Sequence, residues 1–161
     1  MNKELLNKID NFLRKEENSS RLIGKPASIK EINNAETFLN VKFNDQYIEF
    51  IKLFGGAYGG LAIRAFSNGD LIGKSTVVEL TLKFRRIFEE AIFDFEDVEF
   101  EGKSIVFLLK NSYVNSDDGS GNPILMNENG KIFIFLHDSG EVEFLYNSLE
   151  ELLFETYSNI S

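Results

Sequence analysis

One hydrophobic run near the C-terminus limits the possible folds of this chain more than any other feature. Ile132 to Leu136 (IFIFL) joins β-branched, aromatic and aliphatic residues without a polar interruption, which predicts one central strand. The shorter run Ile124 to Met126 precedes it, and Asn129-Gly130 between them is a strong signal for a type I′ hairpin turn. An isolated hairpin is only marginally stable in water, so the rest of the chain must supply layers that cover it.

A polar, glycine-rich segment leads into this hairpin. Asn115 to Asn122 reads NSDDGSGN and contains no apolar side chain. Such a composition predicts a surface loop rather than a regularly paired strand. Pro123 is expected to close the loop.

Helical spacing of apolar residues appears in five other stretches. The first helix is predicted from residue 3 to about residue 16, and a helix with Asn44 as its N-cap is expected to end at Gly55-Gly56. The other three helices begin with capping boxes, in which a hydroxyl and a Glu side chain satisfy free backbone amides. These boxes are Ser28/Glu31, Thr76/Glu79 and Ser148/Glu151.

Further strands are predicted over Leu61 to Phe66, Ser104 to Leu109 and Val142 to Tyr146, whereas Phe93 to Glu101 fits either a strand or an irregular connection. Helices thus come first, a mostly antiparallel sheet follows, and a helix returns at the C-terminus. This order predicts a single α+β domain over residues 1–161, with a helical part at about 1–56 and the sheet with the remaining helices at about 57–161.

Composition and charge indicate the cellular location of the protein and the kind of partner that it binds. The 161 residues include no cysteine, no apolar leader and no apolar stretch long enough for a membrane span, so a cytoplasmic location is expected. The net charge is −9, of which residues 1–103 contribute −2 and residues 104–161 contribute −7. Such a surface disfavours nucleic acid and anionic membranes and favours a basic partner. A monomer or a weak dimer is expected.

The glycine-rich loop does not fit a metal or phosphate site. Counted from Asp117, Glu128 occupies the twelfth position of a calcium loop, but the third and fifth positions are Gly119 and Gly121, which carry no side-chain oxygen. The loop also lacks the lysine and the following helix of a phosphate-binding loop. No cofactor or metal is therefore expected.

Catalytic groups are scarce in this sequence. His137 is the only histidine, and it stands beside Asp138 at the end of the central run. A structural histidine at a strand end is the favoured interpretation, and a general base oriented by Asp138 is the alternative. The sequence therefore predicts a protein that is not an enzyme.

Acidic residues near aromatic ones indicate a surface for a basic protein, because charge can steer the encounter before aromatic side chains are buried. One group lies in the Phe-rich segment 93–101 and the other around the glycine-rich loop and the last strand. The predicted partner contacts are Asp94, Glu96, Asp97, Asp117, Asp118, Glu141 and Glu143.

Three sequence blocks, in this order and spacing, resemble the SUKH superfamily. They are SIKEINNAETFL from Ser28, VKFNDQYIEFIKLFGG from Val41, and SDDGSGNPILMNENGKIFIFLHD from Ser116, which is followed by SLEELL. Phe43-Asn44 stands where the family often has Leu-Pro, and Asn122 replaces a frequent Asp. The resemblance implies an α+β fold with one sheet, in which the glycines of these blocks are fold determinants.

Bacterial members of this superfamily are mostly immunity proteins of polymorphic toxin systems. The resemblance therefore implies a protein that neutralises a cognate toxin, for instance a nuclease, by direct binding. A regulatory scaffold, like the eukaryotic members that regulate the cell wall, is the alternative. The family shares no catalytic residues, so the resemblance assigns no catalytic role.

Overall fold

The computed structural model describes residues 1–15, 17, 20–91, 99–100 and 102–159. Helices lead and close the chain and antiparallel strands lie between them, which confirms the predicted α+β class. The helices are α1 (Lys3–Leu13), α2 (Ile29–Leu39), α3 (Asp45–Phe54), α4 (Val77–Ala91), α5 (Ile105–Lys110) and α6 (Leu149–Tyr157). The strands are β1 (Ala57–Tyr58), β2 (Ala62–Ile63), β3 (Glu99–Phe100), β4 (Lys103–Ser104), β5 (Ser112–Asp117), β6 (Pro123–Asn127), β7 (Ile132–Leu136) and β8 (Glu141–Tyr146).

The main sheet has the strand order β5-β6-β7-β8, and each strand is antiparallel to the next. The predicted hairpin is β6–β7, in which Leu125 faces Phe133. The predicted strand Val142 to Tyr146 is β8, which begins one residue earlier. β7 has a hydrogen-bonded neighbour on each side, so the hydrophobic run is an interior strand, as predicted.

Both faces of this sheet are covered, which explains the unbroken hydrophobicity of β7. Ile132 and Ile134 point into the larger core, together with α1, α3 and α6. Phe133 and Phe135 point to the opposite face. There they pack in a second core with residues of α4 and α5, namely Phe84, Phe88, Ile105, Leu108 and Leu109.

The turn between β6 and β7 differs from the predicted type I′ turn. Gly130 has a positive φ of 86°, but Asn129 does not. The Gly130 N–H donates to Asn127 O (3.0 Å), and the Asn127 N–H donates to Lys131 O (3.2 Å). Residues 128–130 therefore form a three-residue turn with glycine in the left-handed position, a common alternative for a hairpin.

The prediction of a strand over Ser104 to Leu109 was wrong. Residues Ile105–Lys110 form the helix α5, whose Ile105, Leu108 and Leu109 are buried, whereas Phe107 is 58% exposed. A short run of apolar residues has no polar position that could reveal its period, so a buried helix and a buried strand look alike in the sequence.

The predicted loop from Asn115 also begins too early. Asn115 and Ser116 belong to β5 and are 3% and 2% exposed. Asn115 lies at a register shift in the pairing with β6, and its carbonyl accepts a hydrogen bond from the Arg64 N–H (2.8 Å). The residue that follows β2 thus satisfies the backbone carbonyl of Asn115.

The strand predicted over Leu61 to Phe66 is shorter in the structure, where β2 includes only Ala62–Ile63.

The helix-start signals are confirmed, with differences in detail. Ser28 and Glu31 form a complete capping box. The Thr76 and Ser148 hydroxyls accept from the backbone N–H groups of Glu79 (3.2 Å) and Glu151 (3.1 Å). Glu151, however, reaches back to the N–H of Asn147 (2.6 Å) rather than to that of Ser148.

Candidate functional site

Four strand ends meet at one end of the main sheet, where β5 and β7 finish and β6 and β8 begin. The register pairs Asp117 with Pro123 and Leu136 with Glu141. Loop 118–122 and turn 137–140 therefore leave the sheet side by side. This end of the sheet contains the carboxylates of Asp117, Asp118, Asp138 and Glu141, and we refer to it as the acidic sheet end.

Asn122 and His137 connect the two segments. The Asn122 Oδ1 accepts a hydrogen bond from the His137 N–H (3.0 Å) and lies 2.6 Å from the His137 Nδ1. The other ring nitrogen, Nε2, lies 3.1 Å from Asp138 Oδ1. Both nitrogens of the imidazole are thus engaged, and the ring bridges the loop and the turn.

The Asp117 carboxylate makes an ion pair and a hydrogen bond within the protein. Its Oδ2 lies 3.2 Å from Arg64 Nη2, and its Oδ1 accepts from the Gly119 N–H (2.8 Å). Its side chain is 30% exposed. Because the Arg64 guanidinium compensates its negative charge, Asp117 contributes less to the attraction of a basic partner.

Asp118 organises the glycine-rich loop. It accepts hydrogen bonds from the N–H groups of Ser120 (2.8 Å) and Asn122 (3.1 Å) and from the Asn122 side-chain amide (2.8 Å). The side-chain bond from Asn122 is the main reason that the Asp118 pKa is lower than usual. Gly119 and Gly121 adopt positive φ values of 80° and 89°, which suit glycine and allow this tight loop.

Three other acids at or near the sheet end are open to a partner. The Asp138 side chain is 95% exposed. Glu141 and Glu143 are exposed residues of β8 that face Leu136 and Ile134 of β7, so they project from the same face of the sheet. Within the described part of the chain, neither glutamate forms an ion pair.

The fold thus brings Asp117, Asp118 and Glu141 to one end of the sheet, and Glu143 lies two residues further along β8. Asp94, Glu96 and Asp97 lie outside the described residues. The role of all seven acids as partner contacts stays a prediction. The compensation of Asp117 by Arg64 could not be predicted from the sequence, because no local pattern relates the two positions.

Two concave regions border the sheet. A small cavity of about 160 Å³ lies between α4 and the sheet and is lined by Leu80, Phe84, Ile87, Phe135 and His137, among others. A cleft of about 600 Å³ lies near the opposite end of the sheet, beside the β6–β7 turn, with Asn40, Phe107 and Asn129 in its lining. Titratable residues line both regions, namely Lys83, Asp117 and His137 in the cavity and Glu36, Lys42, Lys103 and Glu128 in the cleft.

Residues 1–15, 17, 20–91, 99–100 and 102–159 contain neither a cluster of metal-ligating side chains nor a membrane-spanning helix. In these ranges no three His, Asp or Glu side chains are grouped closely enough to hold a metal ion. No helix in them has both the length and the apolar character needed to cross a bilayer.

The described residues define a small layered α+β domain with an acidic sheet end. Comparison with known families specifies the class further, because the sequence matches the SMI1/KNR4 family (SUKH-1) over residues 26–155. The chain therefore belongs to this family, which confirms the resemblance found in the sequence. The match extends from just before α2 into α6 and leaves α1 outside. No curated protein matches the sequence significantly.

Proposed function

We propose that this protein is an immunity protein, which neutralises a cognate toxin domain by direct binding in the bacterial cytoplasm. Family membership over residues 26–155 is the observation that supports the proposal most strongly. The resemblance described above implies this role for bacterial members of the superfamily. A nuclease is the favoured class of toxin, because its substrate groove is basic and the C-terminal part of this chain is strongly acidic.

Exposed carboxylates give the proposed interaction its electrostatic basis. Asp118, Asp138, Glu141 and Glu143 are exposed acids at or near the sheet end, and the Asp118 carboxylate accepts hydrogen bonds within its own loop. Long-range attraction between these groups and a basic groove raises the rate of encounter, and this contribution falls as salt screens it. An acidic domain seated in that groove would exclude the substrate of the toxin.

The proposed mechanism is stoichiometric and requires no catalysis by this protein. His137 supports that interpretation, because both of its ring nitrogens are engaged, one with Asn122 and one with Asp138. A general base needs a free nitrogen within reach of a substrate proton. In this mechanism one copy of the protein neutralises one copy of the toxin.

Co-expression with the toxin domain encoded by a neighbouring gene tests the proposal. We expect the protein to restore growth of cells that make the toxin, and to form a 1:1 complex with the toxin in a pull-down with purified components. In a titration of toxin activity, inhibition should be complete at one equivalent. His137→Ala should still inhibit stoichiometrically, whereas a catalytic role predicts inhibition at much less than one equivalent and its loss in this variant.

Cell death despite full expression of the protein, together with the lack of a complex, would refute the immunity function. A regulatory scaffold of the same family is the remaining candidate in that case. A gene neighbourhood without any toxin gene would favour the same candidate.

A further inference from the structure

The strand β8 forms one lateral edge of the main sheet. It pairs with β7 on one side, and no strand among the described residues pairs with its other side. The opposite edge of the sheet is different, because the Asn115 carbonyl of β5 accepts a hydrogen bond from the Arg64 N–H. β8 thus presents a length of six residues along which a further strand can be added.

The side chains of β8 make this edge acidic on one face and apolar on the other. Glu141 and Glu143 project from one face, and Asp138 lies just before them in the turn. Phe144 faces Phe133 on the other face and is 36% exposed. Charged side chains on an edge strand oppose pairing with a strand of like charge and favour a strand of opposite charge.

We propose that the free edge of β8 accepts a β-strand of the toxin, so that the main sheet continues into the partner. The strand carries Lys or Arg at alternate positions that face Glu141 and Glu143, and apolar residues on the face of Phe144. Main-chain hydrogen bonds supply affinity in this mode of recognition, and the cross-strand charge pairs set the register. The inference rests on the proposed immunity function and specifies how the toxin is held.

A second copy of this chain is a poor occupant of the same edge. Pairing β8 with β8 would place the Glu141 and Glu143 carboxylates of both copies on a single pair of strands. Each copy also has a net charge of −9, which adds repulsion at longer range. The charge of the edge therefore selects a basic partner.

Hydrogen–deuterium exchange of the 1:1 complex with the neighbouring-gene toxin domain tests the inference. In the free protein we expect the outward-facing amides of residues 141–146 to exchange rapidly, because they have no partner strand. In the complex their exchange should slow by about tenfold or more, since they become hydrogen-bonded. Amides that are already slow in the free protein, or a complex in which exchange in β8 is unchanged, would overturn the inference and leave the immunity function standing.

Charge reversal provides a second measurement on the same complex. Glu141→Lys and Glu143→Lys together should slow association by about tenfold or more, because attraction at the edge becomes repulsion. Each single variant, Glu141→Lys or Glu143→Lys, is compared with Glu128→Lys, which makes the same change in net charge at an exposed residue at the other end of the same sheet. Equal effects of the single variants and this control would assign the charge dependence to net charge and would contradict pairing at β8. Absence of any complex with the unmodified protein would refute the immunity function itself.

Discussion

Arg64 and Asp117 form an ion pair in which Arg64 Nη2 lies 3.2 Å from Asp117 Oδ2. Arg64 directly follows β2, and Asp117 ends β5. The Arg64 side chain is 13% exposed, its Nε has no hydrogen-bond partner in the described structure, and its Nη1 donates to Ser75 O (3.3 Å). The pair therefore anchors the strand end from which the Asp118 loop starts.

Removal of the Asp117 carboxylate should destabilise the fold. Asp117→Ala leaves Arg64 with Ser75 O as its acceptor and also removes the acceptor of the Gly119 N–H. We expect the free energy of unfolding to fall by about 1–3 kcal/mol, as measured by urea denaturation. Asp138→Ala is the control, because that side chain is 95% exposed, and it should change the stability by less than about 0.5 kcal/mol. Equal stability of the two variants would contradict a structural role for the pair.

Buried tyrosines should make the protein sensitive to alkali. Burial raises the pKa of Tyr47, Tyr113 and Tyr157 above the usual value. Because the folded pKa is the higher one, the stabilisation is fully present below about pH 10, where unfolded tyrosine begins to ionise, and is lost progressively above it. Each such tyrosine should lower the free energy of unfolding by about 1.4 kcal/mol per pH unit in that range.

Urea midpoints measured from pH 8 to pH 11 test this dependence, and tyrosinate absorbance should appear together with unfolding. Tyr113→Phe should show a smaller loss of stability above pH 10 than the unmodified protein. At pH 8 the variant should be less stable by about 1–2 kcal/mol, since the Tyr113 hydroxyl accepts from the Asn44 N–H (3.0 Å). Ionisation of all tyrosines near pH 10 in the folded protein would show that the prediction is wrong.

Asn122 should control both the ionisation of Asp118 and the position of His137. Asn122→Ala removes the amide that donates to Asp118 and the oxygen that contacts His137. We expect the Asp118 pKa, followed by NMR titration, to rise toward the usual aspartate value, because its main stabilising hydrogen bond is lost. Amide exchange in the loop should also become faster. Ser139→Ala, in the neighbouring turn, is a control that should leave the Asp118 pKa unchanged.

The helix at residues 105–110 can be distinguished from the strand that its sequence suggests. In the helix, Leu108 is 9% exposed and Phe107 is 58% exposed, so Leu108→Ala should cost about 2–4 kcal/mol and Phe107→Ala less than about 0.5 kcal/mol. A strand would bury residues 105, 107 and 109 on one face and reverse this order. Thermal or urea denaturation of the two variants decides between the two structures.

The parts of the fold that follow from local chemistry were predictable. Ser28 with Glu31, and Thr76 with Glu79, place helix starts because their side chains satisfy backbone groups a few residues away. The hydrophobic run of β7 predicted an interior strand. Asn115 and Ser116, by contrast, look like loop residues and lie in β5, because the bond that satisfies the Asn115 carbonyl comes from Arg64, far away in the sequence.

The candidate site also combines features that the sequence predicts with features that depend on distant contacts. Acidic residues in the last third of the chain were evident from composition, and the net charge of −7 over residues 104–161 indicated a basic partner. Which of these carboxylates a partner could contact was not evident from the sequence. Asp117 is compensated by Arg64 and Asp118 by the amides of its own loop, whereas Glu141 and Glu143 remain exposed on an edge strand.

The class of the fold, five helix starts, the central hairpin and the family could be predicted from the sequence, because each depends on residues close together in the chain or on their order. The helical structure of residues 105–110, the position of β8 at an edge of the sheet and the ion pair that compensates Asp117 could not be predicted from it. These properties depend on contacts between segments that are distant in sequence, for which local periodicity and charge carry no information.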